Sequence, residues 1–252
     1  MFRVIRLLCA LISGMIFCGM QALGSEEIPI LLYHHINDVP ANASRPMHRW
    51  SLSPEKFEAQ MDWVFRHRFH PITMQQLIGH LKHAQALPPK PIVLSFDDGL
   101  KDHYSVVFPI LKKRGFVATF FIITDSVGHS AFMDWEKILE MSGAGMDIEA
   151  HTVTHPNLAD VSHEQARFEI FQSKSVLEKH LNKTVIVLAY PYGKYTQDVI
   201  AITKSAGYEG AVTLSGLNGG YLFRADQSYT LQRFAIEGQD NLDCVAHIKG
   251  FD

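Results

Sequence analysis

The sequence predicts an α/β protein built as one barrel of parallel strands with helices on the outside. Short apolar segments alternate with amphipathic ones, about seven strand–helix units can be counted, and no linker divides the 252 residues. Strands that are apolar throughout are typical of parallel sheets covered by helices. A doubly wound sheet fits the same alternation, but the seven units favour the barrel.

The first third of the chain supplies a strand and two capped helices. Residues 28–33 (IPILLY) are predicted to form a buried strand, and the polar, proline-containing segment 37–50 a long surface loop. Ser53 and Pro54 are the residue types of a helix N-cap and first helical position. Thr73 caps the next helix. The first helix carries apolar residues at helical spacing, namely Phe57, Met61, Val64 and Phe65.

The rest of the chain continues the alternation as far as residue 214. Gly115, Gly143 and Gly207 each follow a helical pattern, as glycine does at helix C-termini. Ser162 and Gln165 have the spacing of a capping box. The predicted strands are 91–96, 117–123, 146–150, 185–190 and 210–214, and the predicted helices are 103–113, 135–142, 162–181 and 196–206.

Four predicted strands run into residue types that carry chemistry. Because the active sites of βα barrels lie at the carboxyl ends of the strands, these residues are expected to converge. In chain order they are His34, the pair Asp97 and Asp98 before Gly99, His151 with His155 four residues later, and the turn Tyr190-Pro191-Tyr192-Gly193.

Two histidines and one carboxylate at neighbouring strand ends predict a metal site. Asp-Asp-Gly is also frequent in simple turns, and His151 and His155 taken alone fit exposed loop residues equally well. Together, three protein ligands leave a coordination position open for water, which is the catalytic pattern. Zn²⁺ suits these ligands best, and Co²⁺ or Ni²⁺ is possible. One of the two carboxylates could bind the cation while the other stays free as a base.

The N-terminal residues have the pattern of a secretory signal peptide. Arg3 and Arg6 precede an apolar run over residues 7–20, and Ala22-Leu23-Gly24 offers small residues before a cleavage point. The prediction is a signal peptide over 1–24, or a retained signal anchor, followed by one domain over 25–252. The protein is then exported and is periplasmic, secreted or at the cell surface. The net charge of −3 gives no indication of a nucleic-acid partner, and nothing in the sequence indicates an oligomer.

Three of these motifs resemble those of polysaccharide deacetylases, carbohydrate esterase family 4. They are the segments Ser95–Gly99, His151–His155 and Tyr190–Gly193, in the order that the family has. The resemblance implies a distorted (β/α)7 barrel that hydrolyses N-acetyl groups on a sugar polymer. It also implies that Asp98, His151 and His155 bind a divalent metal, that Asp97 is the general base, and that the backbone N–H of Tyr192, in the turn with Tyr190 and Pro191, stabilises the oxyanion.

The sequence departs from the family pattern at two places. Many members carry an arginine that orients the base where this chain has Ala189, and Arg233 or Arg224 is a candidate replacement. The C-terminal Leu-x-His motif that often holds the acid histidine is missing. Tyr33-His34 instead resembles the circularly permuted subgroup that acts on exported poly-N-acetylglucosamine. The acid is therefore predicted to be His34 rather than His247.

The substrate stays open among several classes. Poly-β-1,6-N-acetylglucosamine is the first expectation, with peptidoglycan, chitin or an acetylated xylan as alternatives. A catalytically inactive protein that binds polysaccharide on the same fold is the rival prediction, because Ala189 breaks a motif. An exported enzyme of this kind is also expected to associate with the cell envelope or a glycan export system.

Overall fold

The computed structural model describes residues 28–40, 42–214 and 227–238. Its strands are β1 (Ile30–Tyr33), β2 (His35–Ile36), β3 (Ser51–Leu52), β4 (His70–Ile72), β5 (Pro91–Phe96), β6 (Thr119–Ile122), β7 (Asp147–Ala150), β8 (Val187–Ala189), β9 (Gly210–Leu214) and β10 (Leu231–Ala235). Its α-helices are α1 (Arg45–Trp50), α2 (Pro54–Arg66), α3 (Met74–His83), α4 (Phe108–Arg114), α5 (Trp135–Gly143), α6 (His163–Leu181) and α7 (Gln197–Ser205).

Seven parallel strands close into a barrel. The order β1-β10-β9-β8-β7-β6-β5 returns to β1 because β1 also pairs with β5. Closure confirms the predicted (β/α)7 barrel over the doubly wound sheet. The barrel is distorted at β5, whose first residues pair with the additional short strand β4 and whose last two pair with β6.

Alternate residues of each strand face opposite sides of the barrel wall and form two apolar clusters. Leu31, Leu94 and Phe120 belong to the cluster that includes the surrounding helices. Their neighbours on the other side of the wall, represented by Val93 and Phe121, pack with residues from five more strands and α3. This second cluster fills the barrel and leaves the carboxyl ends of the strands to polar residues.

Several local predictions are confirmed and others are wrong. Ser53 accepts the Lys56 N–H, and Thr73 forms a reciprocal box with Gln76. The predicted Ser162 capping box forms only by half: Ser162 accepts the Gln165 N–H, but the Gln165 side chain donates to Glu169 instead.

Several elements of the structure were not predicted from the sequence pattern. The predicted loop 37–50 contains α1, a one-and-a-half-turn helix with no buried residue, so it carries no amphipathic signal. The strands β2, β3, β4 and β10 were also not predicted, and the predicted helix at 103–113 begins with a π-helical turn over His103–Val107. The predicted signal peptide lies outside the described residues. Within residues 28–40, 42–214 and 227–238, none of the helices has the length and apolar character needed to cross a bilayer.

Candidate active site and metal centre

Asp98, His151 and His155 come together at the carboxyl ends of β5 and β7. One side-chain ligand atom from each lies within 4.8 Å of the others. The Nε2 atom of His151 is 3.6 Å from Oδ1 of Asp98, and Nε2 of His155 is 3.8 Å from the same oxygen. We call these three residues the ligand triad. The triad has the composition predicted from the sequence, two imidazoles and one carboxylate.

At and beside the triad, three non-glycine residues have left-handed backbone conformations, which such residues rarely adopt. Asp98 has φ 78°, Thr152 has φ 66° and His155 has φ 62°. A β-branched residue in this region is strained by about 1–3 kcal/mol. The hydroxyl of Thr152 accepts the His155 N–H at 3.1 Å, which closes a turn instead of the helix that i, i+4 histidines often need. This turn directs both imidazoles to one point.

Glu169 of α6 stabilises the turn over His151–His155, called the histidine turn below. Its carboxylate is fully buried, and Oε2 accepts the N–H groups of Val153 and Thr154 at 2.8 and 2.9 Å. The other oxygen accepts the Thr154 hydroxyl and the Gln165 amide. The sequence analysis missed Glu169, although it lies on the buried face of α6 beside Ala166 and Ile170. A charged residue on an apolar helix face is the signal that could have found it.

Replacing Glu169 with Gln is expected to weaken metal binding by about 10–100-fold, as loss of outer-shell partners typically does. A Gln side chain has one acceptor oxygen where the carboxylate has two, so its NH2 group faces N–H donors in either orientation and loosens the network that holds the turn of His155. Competition with a chromogenic chelator measures the affinity. Glu164→Gln, at the exposed first turn of the same helix, is the matched control. Equal affinity in wild type and Glu169→Gln would show that the turn holds its shape without the carboxylate.

The triad is electrostatically prepared for a cation. Nδ1–H of His151 donates to the Ala189 carbonyl at 2.8 Å, which leaves the Nε2 lone pair directed to the site. Burial lowers the pKa of His151 to about 3, so the imidazole is neutral. Burial, and then the adjacent Asp97 carboxylate, raise the pKa of Asp98 to about 7. A divalent cation would bind the neutral imidazoles and would offset the repulsion between the Asp98 and Asp97 carboxylates. Zn²⁺, Co²⁺ or Ni²⁺ accepts this ligand set.

Asp97 forms a buried, two-pronged ion pair with Arg233 of β10. Both distances, Nη1 to Oδ1 and Nη2 to Oδ2, are 2.7 Å, and the two side chains are almost fully buried. Burial alone would raise the pKa of Asp97, but the Arg233 guanidinium outweighs it and holds the pKa well below its usual range. Of the two candidate arginines, Arg233 is thus the one that pairs with Asp97 here, and Arg224 lies outside the described residues.

His34 lies beside Trp50 at the rim of the same site. The two ring centroids are 4.5 Å apart, and Nδ1 of His34 is buried with no hydrogen-bond partner among the residues that the structure describes. Burial lowers the pKa of His34 to about 4, while the nearby Asp97 carboxylate acts in the opposite direction. The alternative acid, His247, lies outside the described residues.

The turn after β8 presents one of its three predicted residues to solvent. Tyr190 and Pro191 are buried, with the Tyr190 ring in the core, whereas Tyr192 is 58% exposed and its ring lies 4.7 Å from that of His155. Tyr192 has φ 58°. Gly193 has φ 66° and a Cβ there would lie 2.7 Å from the Leu214 nitrogen, so this position requires glycine. The turn is therefore packed tightly beneath an exposed aromatic ring.

Comparisons with known proteins show similarity over most of this chain. The family described as polysaccharide deacetylase matches residues 84–211. YxkH of Bacillus subtilis (strain 168) is 29% identical over 210 residues, which are 83% of this chain and 71% of that protein. The poly-beta-1,6-N-acetyl-D-glucosamine N-deacetylase of Staphylococcus epidermidis is 28% identical and is matched over 69% of this chain and 64% of its own length.

A solved structure extends the likeness to the whole barrel. The Streptococcus pyogenes deacetylase PplD, in complex with acetate, superposes with a TM-score of 0.77 at 28% identity. The superposition covers 88% of this chain and 98% of PplD.

Proposed function

The chain belongs to the polysaccharide deacetylase family, and from this we propose that it removes N-acetyl groups from a polymer of N-acetylglucosamine. Members of the family are hydrolases that act on carbon–nitrogen amide bonds. We further propose metal dependence, with Asp98, His151 and His155 as ligands and Asp97 as the base. The observation that carries the proposal is the buried Asp97–Arg233 pair beside the ligand triad. A protein that only bound glycan would need no ionised carboxylate there.

The mechanism assigns one task to each residue around the triad. A divalent metal held there would lower the pKa of water and polarise the acetamide carbonyl. Asp97, kept ionised by Arg233, takes a proton from the attacking water. The backbone N–H of Tyr192 donates to the developing oxyanion, and its exposed ring borders the sugar. His34 gives a proton to the leaving amine; because burial lowers its pKa, the imidazole is neutral at first and takes up this proton from solvent as negative charge develops on the substrate.

Replacing His34 with Ala is expected to lower turnover by about 10²–10⁴-fold and to leave the metal content unchanged. The imidazole supplies the proton without ligating, so its loss slows departure of the amine. Acetate release and metal analysis of the same preparation measure both effects. His35→Ala is the matched comparison, because that imidazole pairs with Asp102 and is expected to matter much less. A parallel loss of metal in His34→Ala would make His34 part of the metal centre.

We propose poly-β-1,6-N-acetylglucosamine as the substrate, because that is the polymer in the names of the staphylococcal relatives. Acetate release by the full chain from β-1,6- and β-1,4-linked oligomers, before and after chelation, tests it. Faster release from the β-1,6 oligomer that chelation abolishes is expected. Preference for the β-1,4 oligomer would point to chitin or peptidoglycan. Binding without any acetate would favour the inactive, polysaccharide-binding protein.

We also propose that the chain is exported and meets its substrate in the cell envelope. The support is the signal-peptide pattern over residues 1–24 and the polymeric substrate of the family. Mass spectrometry of the protein recovered from expressing cells distinguishes a mature N-terminus at Ser25 from a retained anchor. We propose that the protein associates there with the envelope or with a glycan export system.

A further inference from the structure

The two ends of the barrel carry opposite charge. All barrel strands are parallel and helices connect them, so the helices end where the strands begin, at the end opposite the active site. We call this the basal end. The last turns of four helices place basic residues there, namely Arg66 of α2, Lys112 and Lys113 of α4, Lys179 of α6 and Lys204 of α7.

The active-site end has the reverse charge. Four helices begin there with an acidic residue in the first turn, namely Glu55, Glu136, Glu164 and Asp198. Each charge complements its own helix dipole, but because the helices run the same way the contributions add across the molecule. Most acidic side chains near the basal end contact a cation: Asp62 contacts Arg114, Glu178 contacts Lys174, and Glu209 contacts His83. Glu58 contacts Arg114 and Lys113, and Glu140 in the last turn of α5 accepts the Tyr104 hydroxyl, so these acidic residues are fewer than the basic residues at this end. The basal end therefore has an excess of positive charge although the chain is acidic overall.

A groove of about 760 Å³ opens at the basal end beside this charge. Its apolar wall includes Phe69, Phe116 and Phe65, and the Phe65 side chain is 65% exposed despite its predicted place on the core face of α2. Arg66 and Arg68 line the rim without a carboxylate partner among the described residues. Among the residues that the structure describes, none that lines the groove is acidic. An exposed aromatic ring flanked by unpaired guanidinium groups is typical of surfaces that meet anionic lipid.

We propose that the basal end docks onto an anionic phospholipid surface, with the phosphates against the cations and Phe65 at the level of the lipid headgroups. A purely polyanionic partner would explain the cations but not the exposed Phe65 and the apolar groove. β1 also begins at this end, so the described chain enters the barrel there at Ile28. The active-site mouth then points away from the membrane, toward polymer in the surrounding medium.

Flotation of the full chain with lipid vesicles tests this proposal. The readout is the bound fraction on phosphatidylglycerol–phosphatidylcholine vesicles compared with phosphatidylcholine vesicles, because an apolar N-terminal segment would insert into both. Wild type is expected to bind the anionic vesicles several-fold better, and added salt to abolish the difference. Arg66→Glu/Arg68→Glu and Lys112→Glu/Lys113→Glu are expected to remove most of it, and Phe65→Ser to lower binding to the anionic vesicles.

Arg45→Glu/Arg167→Glu is the matched control, because it makes the same charge change at exposed positions toward the active-site end. It is expected to bind as wild type does. Acetate release from a soluble oligomer shows that each basal variant is folded. Equal binding by the basal and control variants would overturn the proposal, as would equal binding to both kinds of vesicle. Retention on polyphosphate that depends on the basal cations, without vesicle binding, would replace the membrane with an anionic polymer.

Discussion

Replacing Asp97 with Asn is expected to lower the rate of acetate release by about 10²–10⁴-fold, the usual contribution of a general base. Asn has nearly the same shape but cannot accept a proton from water. The metal content is expected to stay at the wild-type value, because the triad is formed by Asp98, His151 and His155. Metal analysis and single-turnover acetate release on one preparation measure the two quantities together.

The matched variant is Asp98→Asn, one residue along the chain. It is expected to lose both metal and activity, because it removes the only carboxylate of the triad. The comparison is needed because Asp97 also lies near the triad: its Oδ2 atom is 3.7 Å from Nε2 of His151. If Asp97→Asn loses metal while Asp98→Asn keeps it, the two carboxylates have exchanged roles and the assignment of base and ligand is wrong.

Replacing Arg233 with Met is expected to destabilise the fold at neutral pH and to shift the pH dependence of activity. Breaking a buried ion pair by removing one partner costs about 3–5 kcal/mol, because the other charge stays buried. In wild type the pKa of Asp97 is lowered, so the pair stabilises the fold above the ordinary Asp pKa and loses that effect only as the pH falls below it. Without the guanidinium, burial raises this pKa, and the penalty eases in acid as Asp97 takes up a proton.

Urea unfolding at pH 7 and pH 5, together with the pH profile of kcat/KM, checks this expectation. The acidic limb of the profile is expected to move toward neutral pH in Arg233→Met, because the base is then protonated more readily. Arg233→Lys keeps the charge but not the two-pronged geometry, so partial recovery of both properties is expected. A variant that is less stable but has an unshifted acidic limb would make Arg233 a structural residue with no role in tuning Asp97.

The candidate triad could be predicted from the sequence because each ligand follows a strand whose apolar run is easy to recognise. Asp98 follows β5 and His151 follows β7, and the barrel brings those strand ends together. Arg233 could be named only as a candidate. It lies 136 residues from Asp97, on a strand whose sequence, LQRFA, carries a charge at a buried position. Only closure of the barrel shows that this charge has a partner.

Other features were missed because their cause is tertiary. β4 is three residues long with Pro71 at its centre, and it exists because β5 offers it a free edge near Pro91. The helix α1 buries nothing of its own, yet it ends at Trp50 against His34. Glu169 has four hydrogen-bond donors that come from its own helix and from the histidine turn. These tertiary contacts cannot be predicted from the secondary-structure propensity of the local sequence.

Asp97 follows the fifth strand in the chain, but its partner Arg233 lies on the last described strand, β10. A nascent chain that has emerged as far as residue 214 already contains the three triad residues. It lacks β10, which lies between β9 and β1 and carries Arg233. Until that strand is inserted, the barrel is open and the carboxylate of Asp97 has no guanidinium to orient it. Arg233 can therefore orient Asp97 only once the whole barrel has formed, with the last described strand in place.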